Sequence, residues 1–221
     1  MFFFINMYKQ FLSAFEKAVL SSRREIDEVE LVAVSKKKTT DDIQTVINQG
    51  HISFGENQIQ EVEYKWPLLK FSQSNLKLNF IGNIQSRKAE SIHEHCEVIH
   101  SLDRIKIVKI FDKLEKSKKI MREYFIQINT GNEPQKSGVM MNEAEEFISQ
   151  CLRDYGLKII GLMCIPPIND DPKKHFLNLK DLADNFNLQK LSMGMSNDYD
   201  VAIACGATHI RVGTQIFGAR N

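Results

Sequence analysis

The strongest constraint on the fold is an alternation that runs the length of the chain: short runs rich in apolar and β-branched residues take turns with longer stretches of helical periodicity. The short runs lie at 30–35, 52–54, 78–82, 98–100, 124–129, 157–163, 190–193 and 209–213. Leu31-Val-Ala-Val34 is apolar at every position, the pattern of a strand buried on both faces and therefore of a parallel sheet. Helical segments fill the gaps, at 40–50, 56–66, 86–95, from 103, 142–155, 172–186 and 197–205, with Gly50 and Gly206 as stops. Pro67 is expected to end the second of these, because it lacks the N–H a helix interior needs. Eight strands separated by helices predict an α/β chain, with a single (β/α)8 TIM barrel spanning 1–221. An open, doubly wound sheet satisfies the same alternation.

Only residues 214–221 follow the eighth strand, too few for a full closing helix. Met7, Phe11, Phe15 and Val19 recur at four-residue spacing in an extra N-terminal helix at 7–25. That helix is expected to cover the sector the missing one would occupy.

Composition narrows the setting. Five prolines and eleven glycines are scattered with no linker-like run, which favours one domain. Twenty-nine basic residues against twenty-eight acidic ones leave no broad field for nucleic acid or an anionic membrane. Cys96, Cys151, Cys164 and Cys205 form no CxxC pair, as suits reduced thiols in a cytoplasmic protein. The apolar run at 2–5 is too short for a signal-peptide core, and Met7 is a second candidate start. No stretch is long enough to span a bilayer. A monomer is expected.

In such a barrel the site is built at the C-terminal ends of the strands. Lys36 leaves the first strand on the same face as Val32 and Val34, and Lys37 and Lys38 follow at once. Neighbouring positive charge lowers an amine's pKa and makes it a better Schiff-base nucleophile. Equally, three lysines describe a solvated strand exit. After the last two strands, Gly194 and Gly213 permit close backbone approach, and Ser196 and Thr214 add hydroxyls. Ser196 stands where an N-cap would open the 197–205 helix, so these loops suit a phosphate or simply make turns. Arg211, two residues before Gly213, faces either a ligand or an internal carboxylate. Met163, Met193 and Met195 suit core packing or a flat ring. The six histidines show no metal-ligand spacing.

The runs LVAVSK (31–36), FGEN (54–57), FIGNIQSRK (80–88), INTGNEPQKSG (128–138), GLMCIPP (161–167), LSMGMSND (191–198) and IRVGTQIFGAR (210–220) closely resemble the pyridoxal-phosphate homeostasis proteins. The resemblance implies a barrel like the N-terminal domain of alanine racemase, with pyridoxal 5'-phosphate (PLP) held as a Schiff base on Lys36. It further implies that Ser196, Gly213 and Thr214 bind the phosphate, and that Asn57 and Met163 line the ring. By the same resemblance Arg211 faces the pyridine nitrogen, and Lys136 stands near the pocket mouth. The chain departs from the family pattern at Lys37-Lys38-Thr39, where threonine-lysine-proline is usual, and at Asn79, where histidine is frequent.

The resemblance implies a protein of intracellular vitamin B6 homeostasis that holds PLP, and delivers it to PLP-dependent apo-enzymes, without robust catalysis. The alternative is a PLP-dependent amino-acid racemase or lyase, with Tyr64, Tyr124 or Tyr199 as acid/base. A sugar-phosphate isomerase or aldolase using Lys36 directly is a third reading.

Overall fold

The computed structural model describes residues 2–218, with side chains from Asn6 onward. The apolar side chains at 2–5 and the last residues of the 210–220 motif therefore lie outside the described residues. The strands are β1 (Glu30–Val34), β2 (Ser53–Glu56), β3 (Lys77–Phe80), β4 (Val98–Leu102), β5 (Glu123–Asn129), β6 (Val139–Met140), β7 (Lys158–Cys164), β8 (Lys190–Ser192) and β9 (His209–Val212). Around the ring the order is β1-β2-β3-β4-β5-β7-β8-β9, and β9 pairs with β1 to close it. All pairings are parallel, so the structure is the closed barrel rather than the open sheet. The two-residue β6 hangs on β5 outside the ring.

The helices are α1 (Phe2–Ser21), α2 (Thr40–Ile47), α3 (Ile59–Ser72), α4 (Ala89–His95), α5 (Ile105–Lys118), α6 (Met141–Asp154), α7 (Pro172–Asn185), α8 (Tyr199–Ala204) and α9 (Thr214–Phe217). The single turn of α9 leaves its sector open, and α1 fills it by packing on α2, α8 and α9. Tyr8, Phe11, Phe15 and Val19 are buried along one stripe, and Phe11 meets Tyr199 of α8 edge-on at 5.2 Å. The helix starts at Phe2 rather than near residue 7, because nothing in 2–6 breaks it.

Two boundaries correct the sequence reading. Pro67 does not end its helix: α3 runs through it to Ser72. Trp66 and Leu69, on either side, are buried, and each burial is worth about 1.5–3 kcal/mol, which offsets the one lost backbone hydrogen bond. Ser196 does not cap the 197–205 helix, since α8 begins only at Tyr199. The Asp198 carboxylate accepts from Met195 N–H at 2.6 Å and keeps the chain in a turn through 198. All four cysteines are buried and free. No helix among the described residues is long and apolar enough to cross a membrane.

The barrel interior is divided. Val98, Phe125 and Met163 form an apolar plug, whereas Ser53, Asn79, His100, Ser192 and Arg211 form a buried polar column.

Candidate functional site

A cavity of about 640 Å³ opens where the strands end. Strand alternation carries the argument from β1: Val32 and Val34 both face the bare Cα of Gly55, and Val34 and Lys36 both line the cavity. Lys36 thus turns inward, while Lys37 stands exposed.

A tight turn presents Lys36. Lys38 N–H donates to Ser35 O at 3.1 Å, and Lys37 adopts φ = 61°, a left-handed conformation that costs a non-glycine residue about 1–2 kcal/mol. Three bonds hold the turn. Lys37 N–H donates to Glu61 Oε2 at 2.6 Å, Lys65 Nζ donates to Ser35 O at 3.0 Å, and Lys38 Nζ donates to Phe217 O at 2.9 Å. Beneath the turn Lys65 and Glu56 are both buried and pair at 2.6 Å. The same carboxylate oxygen accepts from Ser35 Oγ (2.7 Å) and Trp66 Nε1 (3.3 Å). Glu56 Oε2 has no hydrogen-bond partner among the described residues. Burial pushes the Glu56 carboxyl pKa up, and the Lys65 ammonium opposes it.

Across the mouth, the loops after β8 and β9 bring in Met195, Ser196, Asn197, Asp198, Gly213 and Thr214. Gln215 ties the two loops together by donating to Ser196 O. Gly194 sits at φ = 93°, and a Cβ there would stand 2.6 Å from that of Ala202. A Cβ on Gly213 would reach Val34 O at 3.0 Å, so the β9 exit lies directly against β1. Arg211 is buried at the floor, with Nη1 donating to Ser192 Oγ at 2.6 Å and Nη2 to Cys164 O at 2.9 Å. Neither acceptor is the internal carboxylate that one reading of the sequence offered. Asn57 completes the wall, with Gly82 packed so closely that a Cβ would lie 2.0 Å from Asn57 O.

Lys36, Asn57, Ser196, Arg211, Gly213 and Thr214 therefore share one cavity. Met163 is not among its lining residues; it packs inside the barrel with Val98 and Phe125. Lys136 is not there either, and pairs with Glu133 at 2.6 Å. The three tyrosines weighed as acid/base groups stand elsewhere. Tyr64 is 82% exposed on α3, Tyr124 is buried and donates to Glu115 Oε1, and Tyr199 packs on α1. Sequence reasoning missed Glu56, Lys65, Ser192 and His100. The Glu61–Lys65 spacing was visible as an i,i+4 pair, but a third partner 30 residues away was not. No group of three or more His, Cys, Asp or Glu among the described residues could hold a metal ion.

Comparison with known proteins agrees with this geometry. The family model described as "Alanine racemase, N-terminal domain" matches residues 12–221. The pyridoxal phosphate homeostasis protein of Pasteurella multocida is 37% identical over 218 residues, 93% of each chain. PipY of Synechococcus elongatus, solved without PLP, superposes with a TM-score of 0.82 at 31% identity, covering 86% of this chain and 93% of that one. The PLP-bound form of PipY gives 0.79 at 29% identity, covering 92% and 100%. The chain belongs to the alanine racemase N-terminal domain family and, within it, to the pyridoxal phosphate homeostasis proteins.

Proposed function

We propose that this protein binds PLP as a Schiff base on Lys36 and acts inside the cell in vitamin B6 homeostasis, holding and releasing the cofactor without robust catalysis. The observation that carries the proposal is the joining, in one cavity, of an inward lysine, a two-loop anion cradle and a buried guanidinium. The donor set fits the cofactor end to end. Ser196, Gly213 and Thr214 offer hydroxyls and close backbone approach to a phosphate, and Asn57 would line the ring. PLP supplies an aldehyde that condenses reversibly with an amine. Lys36 is the amine the β1 turn presents for it. Arg211 holds its protons too firmly to give one to a ring nitrogen, so it leaves the cofactor a weak electron sink. The PLP-bound relative supports the assignment. That none of Tyr64, Tyr124 and Tyr199 lines the cavity supports holding over racemase or lyase chemistry.

The test begins with purified protein, which is expected to be yellow, with Lys36→Ala colourless in the visible. Loaded protein mixed with a PLP-dependent apo-enzyme and a PLP scavenger is expected to activate that enzyme beyond free PLP. A colourless wild type with added PLP refutes binding. Racemisation or elimination of amino acids at ordinary enzyme rates refutes the non-catalytic role.

A further inference from the structure

The polar column in the barrel has a direction, and its residues settle which way every hydrogen points. Arg211 can only donate, and it gives Nη1–H to Ser192 Oγ at 2.6 Å. Ser192 Oγ lies 2.7 Å from His100 Nδ1, and His100 Nε2 lies 2.9 Å from Asn79 Oδ1. The Asn79 amide cannot be reversed, because its nitrogen donates at 3.0 Å to Phe54 O, a carbonyl that can only accept. Asn79 Oδ1 therefore faces His100 and accepts, so His100 Nε2 carries the hydrogen and Nδ1 is bare. Ser192 in turn donates to Nδ1 and keeps a lone pair for Arg211. At the far end Asn79 Nδ2 donates to Ser53 Oγ (3.0 Å), which donates to Glu30 Oε1 (2.6 Å). Glu30 is anchored at the opposite mouth of the barrel by Lys77 at 3.0 Å and lies 3.4 Å from His209.

We propose that Ser192 and His100 are positioning residues that aim the Arg211 guanidinium at the cavity, through a one-way chain of hydrogen bonds running from Arg211 to Glu30. It rests on the PLP reading only for what Arg211 faces; the chain itself does not. Its residues are buried from Ser53 to Arg211, so no water replaces a lost member without opening the barrel. Neutral His100 is essential. A proton on Nδ1 would point a second donor at Ser192 and strand the serine hydrogen. It would also place a cation between Arg211 and His209, against Phe125 stacked at 4.5 Å. Burial, His209 and Arg211 all hold the His100 pKa well below its ordinary value. Asn79 contributes an acceptor to His100 and a donor to Ser53 and Phe54 O from one planar amide.

Two measurements test this. In PLP-free, nitrogen-15-labelled protein, long-range proton–nitrogen spectra of the histidine rings are expected to show His100 neutral, with hydrogen on Nε2, from about pH 6 to 9. Hydrogen on Nδ1, or titration in that range, overturns the chain. In the second, Ser192→Ala is expected to weaken PLP binding about tenfold, the value of one hydrogen bond to a charged group. The same change in an Arg211→Met background is expected to have less than about a twofold effect, because nothing remains to be aimed. Ser192→Thr, which keeps the hydroxyl, is expected to stay near wild type. Equal losses in the two backgrounds would show a merely structural role and overturn the proposal. Should Ser192→Ala not fold, His100→Gln takes its place in the same cycle. If the unaltered protein binds no PLP, the functional reading fails while the tautomer still decides the chain.

Discussion

Lys65→Met removes the cation beneath the Lys36 turn and leaves the Glu56 carboxylate where water cannot reach it. Glu61, the other carboxylate on Lys65, retains one-fifth of its side-chain exposure and can turn to solvent; Glu56 is wholly buried and cannot. Breaking a buried pair from one side typically costs about 3–5 kcal/mol. Protonation sets a ceiling on that loss. Neutralising a carboxyl with an ordinary pKa of 4.5 costs about 1.4 kcal/mol for each pH unit above it, so about 3.4 kcal/mol at pH 7 and about 2 kcal/mol at pH 6. The sign follows from linkage: the folded variant binds a proton that the unfolded chain has released, so its stability falls as pH rises above 4.5. Trp66, the sole tryptophan, donates to Glu56 and reports the event directly. Urea unfolding followed by its fluorescence is expected to show Lys65→Met destabilised by about 3 kcal/mol at pH 7 and by about 1 kcal/mol less at pH 6. Glu56→Gln added to Lys65→Met is expected to recover most of the loss, since the amide oxygen still accepts from Ser35 and Trp66. A variant within about 1 kcal/mol of the parent at pH 7, or with no pH dependence of the difference, would refute the assignment of Glu56 as a buried charge.

Gly82→Ala drives a methyl into Asn57 O at 2.0 Å and is expected to cost about 3 kcal/mol, with PLP affinity falling as Asn57 shifts; thermal unfolding and a PLP titration check both. Phe11→Ala empties the contact between α1 and α8 and is expected to cost about 3–5 kcal/mol in urea unfolding, whereas the same change at exposed Phe71 is expected to cost little. His51, whose Nε2 donates to Ser53 O and whose pKa burial lowers to about 4, must be neutral in the fold. Stability is therefore expected to fall by up to about 3 kcal/mol as pH drops from 6.5 to 4, and His51→Gln should flatten that part of the pH profile.

The barrel was legible because a two-sided buried strand such as Leu31–Val34 has a signature that needs no tertiary knowledge. The covering role of α1 was legible too, from the four-residue apolar spacing of Met7, Phe11, Phe15 and Val19. Local rules failed where burial outvoted them. Pro67 survives inside α3 because Trp66 and Leu69 are packed, and Ser196 caps nothing because Asp198 claims the turn. For the site, alternation turned Lys36 and Arg211 inward, and six of the eight residues expected there line one cavity. What supports them was illegible. Ser192, His100, Asn79 and Ser53 come from four strands, and no spacing in a single sequence relates residues 21 to 92 positions apart. Met163, which the resemblance sets against the ring, packs with Val98 and Phe125 instead, as the core-packing reading of the methionines has it.

The seam between β1 and β9 joins Glu30 to His209 and Val32 to Arg211, the two ends of the chain zipped side by side. The Lys36 turn leaves from one side of that zipper and Gly213-Thr214 from the other. A small molecule held at both points is therefore a clasp across the joint that closes the barrel. Its binding energy would fall selectively on the opening of that joint, so loading would lower how often the seam opens. In amide hydrogen exchange, Leu31–Ala33 and Ile210–Val212 would slow on loading far more than the β4–β5 rungs on the opposite wall. On the proposed function, release of PLP would loosen this joint.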